Sequence, residues 1–289
     1  MQKISERVPQ AVRPPRPADV VPAAAPAKPK AAPTCIFCDR PSGSVEFAWP
    51  EWLCRFLIEC HDVTRLQQRA AESDLAILDR MEREVDTTIT RVCDNCRDGW
   101  VRRLDDDVKP FLKPMVTGQP TRLSPAHQWL LARWAAKTAV VLECSLDTPV
   151  RTPRDECEHL RKVGVRAGTQ VLVGRYDGES QVLTYERDLF SRTIDGEQRF
   201  FPQASLVIGQ LFIQVFAGPW RSGLPELVRQ SSQPLLALAA GSGEDIMWPP
   251  ASAIDDGRYE LARFGVLAGG AAWAAGHERG TEATVSLHD

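Results

Sequence analysis

Cys35-Ile-Phe-Cys38 and Cys93-Asp-Asn-Cys96 decide how this chain is read. Each is a Cys-x-x-Cys pair, and residues 39–92 lie between them. A Cys-x-x-Cys turn sets two thiolates on one side of a tight knuckle, and two facing knuckles supply the tetrahedral four-sulfur shell that zinc prefers. The long insert only has to bring the chain back to the same place. One pair alone also fits a redox dithiol. Two pairs, each beside strand-like residues, are better explained by a metal held by Cys35, Cys38, Cys93 and Cys96. Iron on the same ligands and two unrelated reduced knuckles are the alternatives. A closed four-cysteine shell has no open position, so such a zinc builds the fold and does no chemistry.

The surrounding composition agrees with metal before disulfides. The chain has 289 residues, eight of them cysteine, with 43% hydrophobic and 25% charged residues. It is large, not cysteine-dense, and lacks an N-terminal apolar stretch of the secretory kind, so a cytoplasmic location is expected. No run of eighteen apolar residues occurs, and no membrane span is expected. The net charge of −3 excludes a molecule built as a whole for nucleic acid, and any such contact has to come from a local basic patch.

Outward from the knuckles, residues 1–33 form a Pro/Ala-rich, mildly basic arm that lacks the apolar surface to order itself. Residues 34–165 read as a mostly helical domain around the zinc. Residues 44–48 suit a short strand, and Pro50 suits the first position of a helix. In that helix Trp52, Leu53, Phe56, Leu57 and Cys60 share an apolar face, with Cys54 and Cys60 as small buried groups. A second helix is expected over 72–84, with Leu75, Leu78 and Met81 inward. Thr87–Val92 is β-branched and suits a strand. Trp100, Val101, Leu104 and Val108 then repeat at helical spacing, in a helix expected to stop or bend at Pro110. The acidic run Asp105–Asp107 reads as its solvated face. Ser124-Pro125 is an N-cap followed by proline, opening a long helix to about Glu143, and a shorter one follows Pro153.

Residues 166–264 are β-rich. Strand-like runs occupy Gln170–Gly174, Val182–Tyr185 and Ser205–Phe216, separated by turn signals at Asp177-Gly178 and Asp195-Gly196. Leu235–Ala239 and Ile246–Trp248 suit edge strands, Asp256–Phe264 a last helix, and 265–289 a flexible tail. The fold class expected is α+β. The β-rich part carries no P-loop, no G-x-G-x-x-G and no Ser-His-Asp spacing, and it reads as either a domain that binds a protein partner or one that recognises a target.

The order Cys-x-x-Cys, strand with Glu46, Trp49-Pro50-x-Trp52-Leu53, Cys-x-x-Cys and Gly99-Trp100 resembles a group of zinc-knuckle HNH-endonuclease-like proteins. Looser similarities follow at Pro110, Pro114 and Gly118, at Gln128-Trp129-Leu130-Leu131-Ala132 with Trp134-Ala135 and Lys137-Thr138-Ala139, and at Trp248-Pro249-Pro250, so that the resemblance spans roughly 35–264. It implies an HNH-like ββα unit around a catalytic divalent metal, magnesium or manganese, separate from the zinc. In that group a strand histidine activates water, a second polar residue orients it, and a residue at the helix start helps hold the metal.

Here those positions diverge. Phe47 stands where the histidine is expected, Arg97 where a metal-binding Asn or His is usual, and Thr88 where the orienting residue falls. A phenyl ring neither accepts a proton nor binds a cation, and a guanidinium repels one. Glu46 and Asp98 are the nearest replacement catalytic carboxylates, with Glu46 one residue out of register and thus on the opposite strand face. Arg91, Arg97, Arg102 and Arg103 gather near the second knuckle and are the candidates for holding a DNA backbone. Three readings remain. The first is a catalytically degenerate zinc module that binds nucleic acid or protein, the second an active HNH-type endonuclease with a divergent site, and the third a purely structural zinc protein.

Overall fold

The two knuckles are tied by backbone before any metal enters. The Ile36 N–H donates to the Arg91 carbonyl at 2.9 Å, and Cys35 N–H donates to the Arg40 carbonyl at 2.9 Å, which closes the first turn. In the computed structural model the described residues are 33–61, 83–146, 150–166, 169–179, 182–194, 197–216, 235–238 and 244–263. The expected helix at 72–84 falls largely outside them, as do the arm of residues 1–32 and the tail.

Strand β1 (Glu46–Phe47) pairs antiparallel with β2 (Thr88–Ile89), Glu46 opposite Ile89 and Phe47 opposite Thr88. Helix α1 (Glu51–His61) follows β1 and buries Leu53, Cys54 and Leu57, with Trp52 and Phe56 half-buried beside them. Cys60, expected inward, is exposed. It lies in the last turn of α1, past the residues that reach the core.

The second knuckle leads directly into helix. Cys93 is the N-cap of the short α2 (Asp94–Cys96), and a π-helical turn over Arg97–Val101, with Gly99 out of helical geometry, feeds α3 (Arg102–Val116). Helix α3 does not stop at Pro110. It passes through Pro110 and Pro114 and buries Leu104, Val108, Phe111, Leu112, Met115 and Val116. A proline inside a helix removes a hydrogen bond and costs roughly 3 kcal/mol. Burying four large side chains beyond Pro110 returns roughly 1.5–3 kcal/mol each, so packing decides.

Ser124 caps α4 (Pro125–Glu143), its hydroxyl accepting from the His127 N–H at 3.3 Å, as the Ser-Pro signal predicts. This helix is buried on nearly every side, and Leu131, Trp134, Thr138 and Val141 are all inside. Helix α5 (Arg154–Lys162) follows Pro153. A small antiparallel pair joins β3 (Thr121–Leu123) to β9 (Ile246–Trp248). Ile246–Trp248 is therefore not an edge of the main sheet. It comes back to the strand before α4.

The main sheet runs β10 (Ala253–Ile254), β4 (Gln170–Tyr176), β7 (Leu211–Phe216), β6 (Glu197–Ile208), β5 (Leu183–Ile194). Strands β4 to β7 are antiparallel. The other edge of β4 takes β8 (Leu235–Ala237) and, in parallel, β10. Helix α6 (Asp256–Arg263) follows. The run Ser205–Phe216 is two strands. Gly209 has φ of +54° and turns the chain between Ile208 and Leu211. A side chain at Gly209 would meet the Val116 carbonyl at 2.5 Å, so glycine is required there. The next residue, Gln210, donates its N–H to that same carbonyl at 2.9 Å, so the β6–β7 turn caps the end of α3.

The chain is thus of mixed α+β class, as expected. One apolar cluster contains Cys35, Leu53, Leu112, Trp134, Val171 and Leu206, drawn from both the knuckle region and the sheet. No helix among the described residues is long and apolar enough to cross a membrane.

Candidate metal centre

The four predicted cysteines meet. The sulfurs of Cys35, Cys38, Cys93 and Cys96 all lie within 4.8 Å of one another. Cys38 Sγ is 3.6 Å from both Cys93 Sγ and Cys96 Sγ. A regular tetrahedron with Zn–S bonds of ~2.3 Å has sulfur–sulfur edges of about 3.8 Å, so the cluster fits a single ion. Cys35, Cys93 and Cys96 are at most 5% exposed, and Cys38 is half-buried.

The electrostatics favour exchange of protons for a cation. Burial pushes the Cys93 and Cys96 thiols up, and the neighbouring sulfurs add to it. Burial acts on Cys38 as well, but the Arg40 amide and the adjacent thiols outweigh it and hold Cys38 below its usual value. Crowded thiolates repel one another, and a divalent ion among them reverses that cost.

The supports of the knuckles come from far along the chain. Arg161 on α5 donates Nε–H to the Phe37 carbonyl at 2.9 Å. The Phe37 ring stands edge-on to Trp100 with centroids 4.8 Å apart. The Arg133 guanidinium lies over both Trp100 and Trp129, at 5.4 and 5.2 Å from their centroids. It also donates to the Leu160 and Arg161 carbonyls at 3.1 and 2.7 Å. None of this is announced by a local motif. The basic last turn of α5 was its one sequence signal.

Beside the centre, a cleft of about 590 Å³ opens between β1, the start of α1 and the first turns of α3. Its walls include Glu46, Phe47, Trp52, Arg97, Asp98 and Asp105. Arg97 is fully engaged. Its guanidinium donates to Glu46, lies 3.1 Å from Asp94, and grips Asp98 with two bonds of 2.8 Å. The Arg97 contact holds the Asp98 carboxyl below the usual carboxylate range. Ser44 completes the group, its hydroxyl donating to Asp94 at 2.9 Å. In the sequence, Asp94 flanks the second knuckle as a possible metal ligand or partner of the nearby arginines, and the structure pairs it with Arg97 at a spacing of three residues along a helix.

Phe47 is 56% exposed at the rim. Arg91 is half-buried and turned to the Thr34 carbonyl, while Arg102 and Arg103 are exposed. Of the four predicted arginines, Arg97 and Arg102 line the cleft. The acidic run is not wholly solvated either. Asp105 accepts from the Trp134 indole at 2.8 Å and from Lys137 at 2.7 Å, while Asp106 and Asp107 face solvent.

Compared with protein-family models, with curated proteins and with solved structures, the chain matches none.

Proposed function

We propose that this chain is a zinc-stabilised, HNH-like module that has lost nuclease chemistry and serves to bind a protein segment. Arg97 carries the reading. Its guanidinium lies among Glu46, Asp94 and Asp98 in the cleft, where a catalytic cation would need those carboxylates. A second cation beside it is repelled. Phe47, paired across the strands with Thr88, supplies neither base nor ligand.

Zinc is the ion that suits four thiolates in a closed shell, and its role here is to hold residues 35–38 against 93–96. Reduced thiolates also favour a reducing compartment such as the cytoplasm. The cleft favours protein over a phosphate backbone. Its charged lining has five carboxylates, Glu46, Glu51, Asp98, Asp105 and Asp106, against three cations, Arg97, Arg102 and Lys137. Arg97 and Lys137 are already paired with carboxylates. Such a surface repels nucleic acid, whereas exposed Phe47 offers apolar contact to a peptide.

Supercoiled plasmid incubated with the full chain and magnesium or manganese is expected to stay supercoiled. Metal-dependent nicking that disappears in Glu46→Ala or Asp98→Ala would restore the endonuclease reading. Retention on DNA is expected to be weak. Strong retention that falls steeply with salt and is lost in an Arg102→Ala, Arg103→Ala double variant would favour nucleic acid over protein.

A further inference from the structure

The four ligands differ in how open they are to reagents. Cys35, Cys93 and Cys96 lie within the core, at most 5% exposed, while Cys38 is half-buried and flanked by exposed Asp39 and Arg40. Cys38 is also the ligand whose sulfur sits 3.6 Å from two others, Cys93 and Cys96, both on the opposite knuckle. Oxidation of a cysteine needs thiolate character and access, and conversion to a disulfide needs a second sulfur close by. Cys38 has the access and the neighbouring sulfurs, and metal coordination would supply the thiolate.

We propose that Cys38 is a peroxide-modifiable site that releases the metal by cross-linking the two knuckles. The step rests on the metal reading above for its starting state. The Cys38 thiolate attacks one oxygen of a hydroperoxide. The O–O bond breaks, hydroxide leaves, and Cys38 becomes a sulfenic acid. The thiolate of Cys93 or Cys96 then attacks the Cys38 sulfur, the S–O bond breaks, and a second hydroxide leaves. Two thiolates and one hydrogen peroxide thus give one disulfide and two hydroxides. The metal loses two of its four ligands and departs with the remaining pair uncoordinated.

Neither of two other features offers such chemistry. The cavity beneath α4 has the Glu143–Arg187 pair in its wall, but Glu143 is already bonded to Arg151, Thr152 and Arg187. Among the described residues, exposed Cys60 has no cysteine sulfur in contact with it, so its oxidation would stop at the sulfenic stage or go further without a disulfide.

The test uses the full chain in a Cys60→Ser background, metal-loaded as purified. Hydrogen peroxide is added in stoichiometric steps, with metal release followed by a chromogenic chelator and disulfides mapped by mass spectrometry of peptides. The expected result is one metal released per disulfide, the disulfide joining Cys38 to Cys93 or Cys96, with reversal by dithiothreitol and added zinc. Cys38→His keeps a ligand atom and removes the reactive sulfur, and it is expected to hold metal while slowing its release at least tenfold. A first disulfide between Cys35 and Cys38, release from Cys38→His at the unmodified rate, or peroxide consumed with the metal still in place would each overturn the proposal. If the purified chain holds no metal, the metal reading fails by itself. The same mapping on that metal-free chain then still decides whether Cys38 bridges the knuckles.

Discussion

The Lys137 ammonium meets the Asp105 carboxylate at 2.7 Å with 3% and 14% of the two side chains exposed. The pair links α3, which leaves the second knuckle, to α4, the most buried helix. Asp105 accepts from the Trp134 indole as well, so a single carboxylate oxygen organises both helices.

Removing one partner leaves the other charge buried. Lys137→Ala or Asp105→Ala is expected to lower the unfolding free energy by about 3–5 kcal/mol, whereas Lys137→Met with Asp105→Leu is expected to cost much less than the sum of the two single changes. Urea unfolding of the four proteins checks this. Single variants within about 1 kcal/mol of the parent would show that the pair is solvated after all.

How far sequence alone reached depends on which interaction dominates each element. The Ser124 cap, the strand break at Asp177-Gly178 and the cysteine spacing are local, and the structure follows them. Asp105 was misread because its neighbours Asp106 and Asp107 do face solvent, and helix geometry turns only one of three consecutive residues inward. The Ser205–Phe216 run hid its turn because both strands are buried on each face and lack the alternation that marks an edge. Arg97 was recognised as out of place for a metal ligand, and Asp94 and Asp98 are its local partners, but Glu46 lies on the distant strand β1 and no local pattern records that contact.

Pro110 is the clearest case of packing overriding propensity. It lies exposed inside α3, and its ring denies the Asp106 carbonyl a backbone partner. Pro110→Ala restores that donor and relieves the ring clash, worth roughly 3 kcal/mol, while loosening the unfolded chain by about 1 kcal/mol. A net gain of about 1–2 kcal/mol in chemical denaturation is expected. A loss of stability would mean that the proline ring is itself required by the packing of Phe111 and Leu112.

Metal removal should act first on the knuckles. Binding energies of structural zinc in small domains are about 10–16 kcal/mol, enough to hold residues 34–38 and 93–96 in place. Treatment with a strong chelator is expected to raise amide exchange in those segments and through α2, while Val171–Val173 in the sheet stay protected. Cys93→Ser is expected to bring the metal content of the purified chain from about one ion to well below one. Unchanged exchange after complete chelation would remove the metal from any role in the fold.

Alkaline pH provides a separate test of the buried thiols that do not face the metal. Burial pushes Cys54, Cys144 and Cys157 from the usual 9.0 up to about 12. A group that holds its proton more tightly in the fold than in the coil contributes fully below its unfolded value. That contribution drains away as pH rises toward the folded value, because the coil then binds fewer protons than the fold. The window here runs from 9.0 to about 12. Cys54→Ala is expected to be about 1 kcal/mol less stable than the parent at pH 8, where only packing is lost. Across the window the parent falls by up to roughly 1.4 kcal/mol per pH unit through this one thiol, and the variant does not. The gap should therefore narrow and then reverse between pH 9 and 11 in urea titrations. A constant gap over that range would show that the Cys54 thiol meets water in the folded chain.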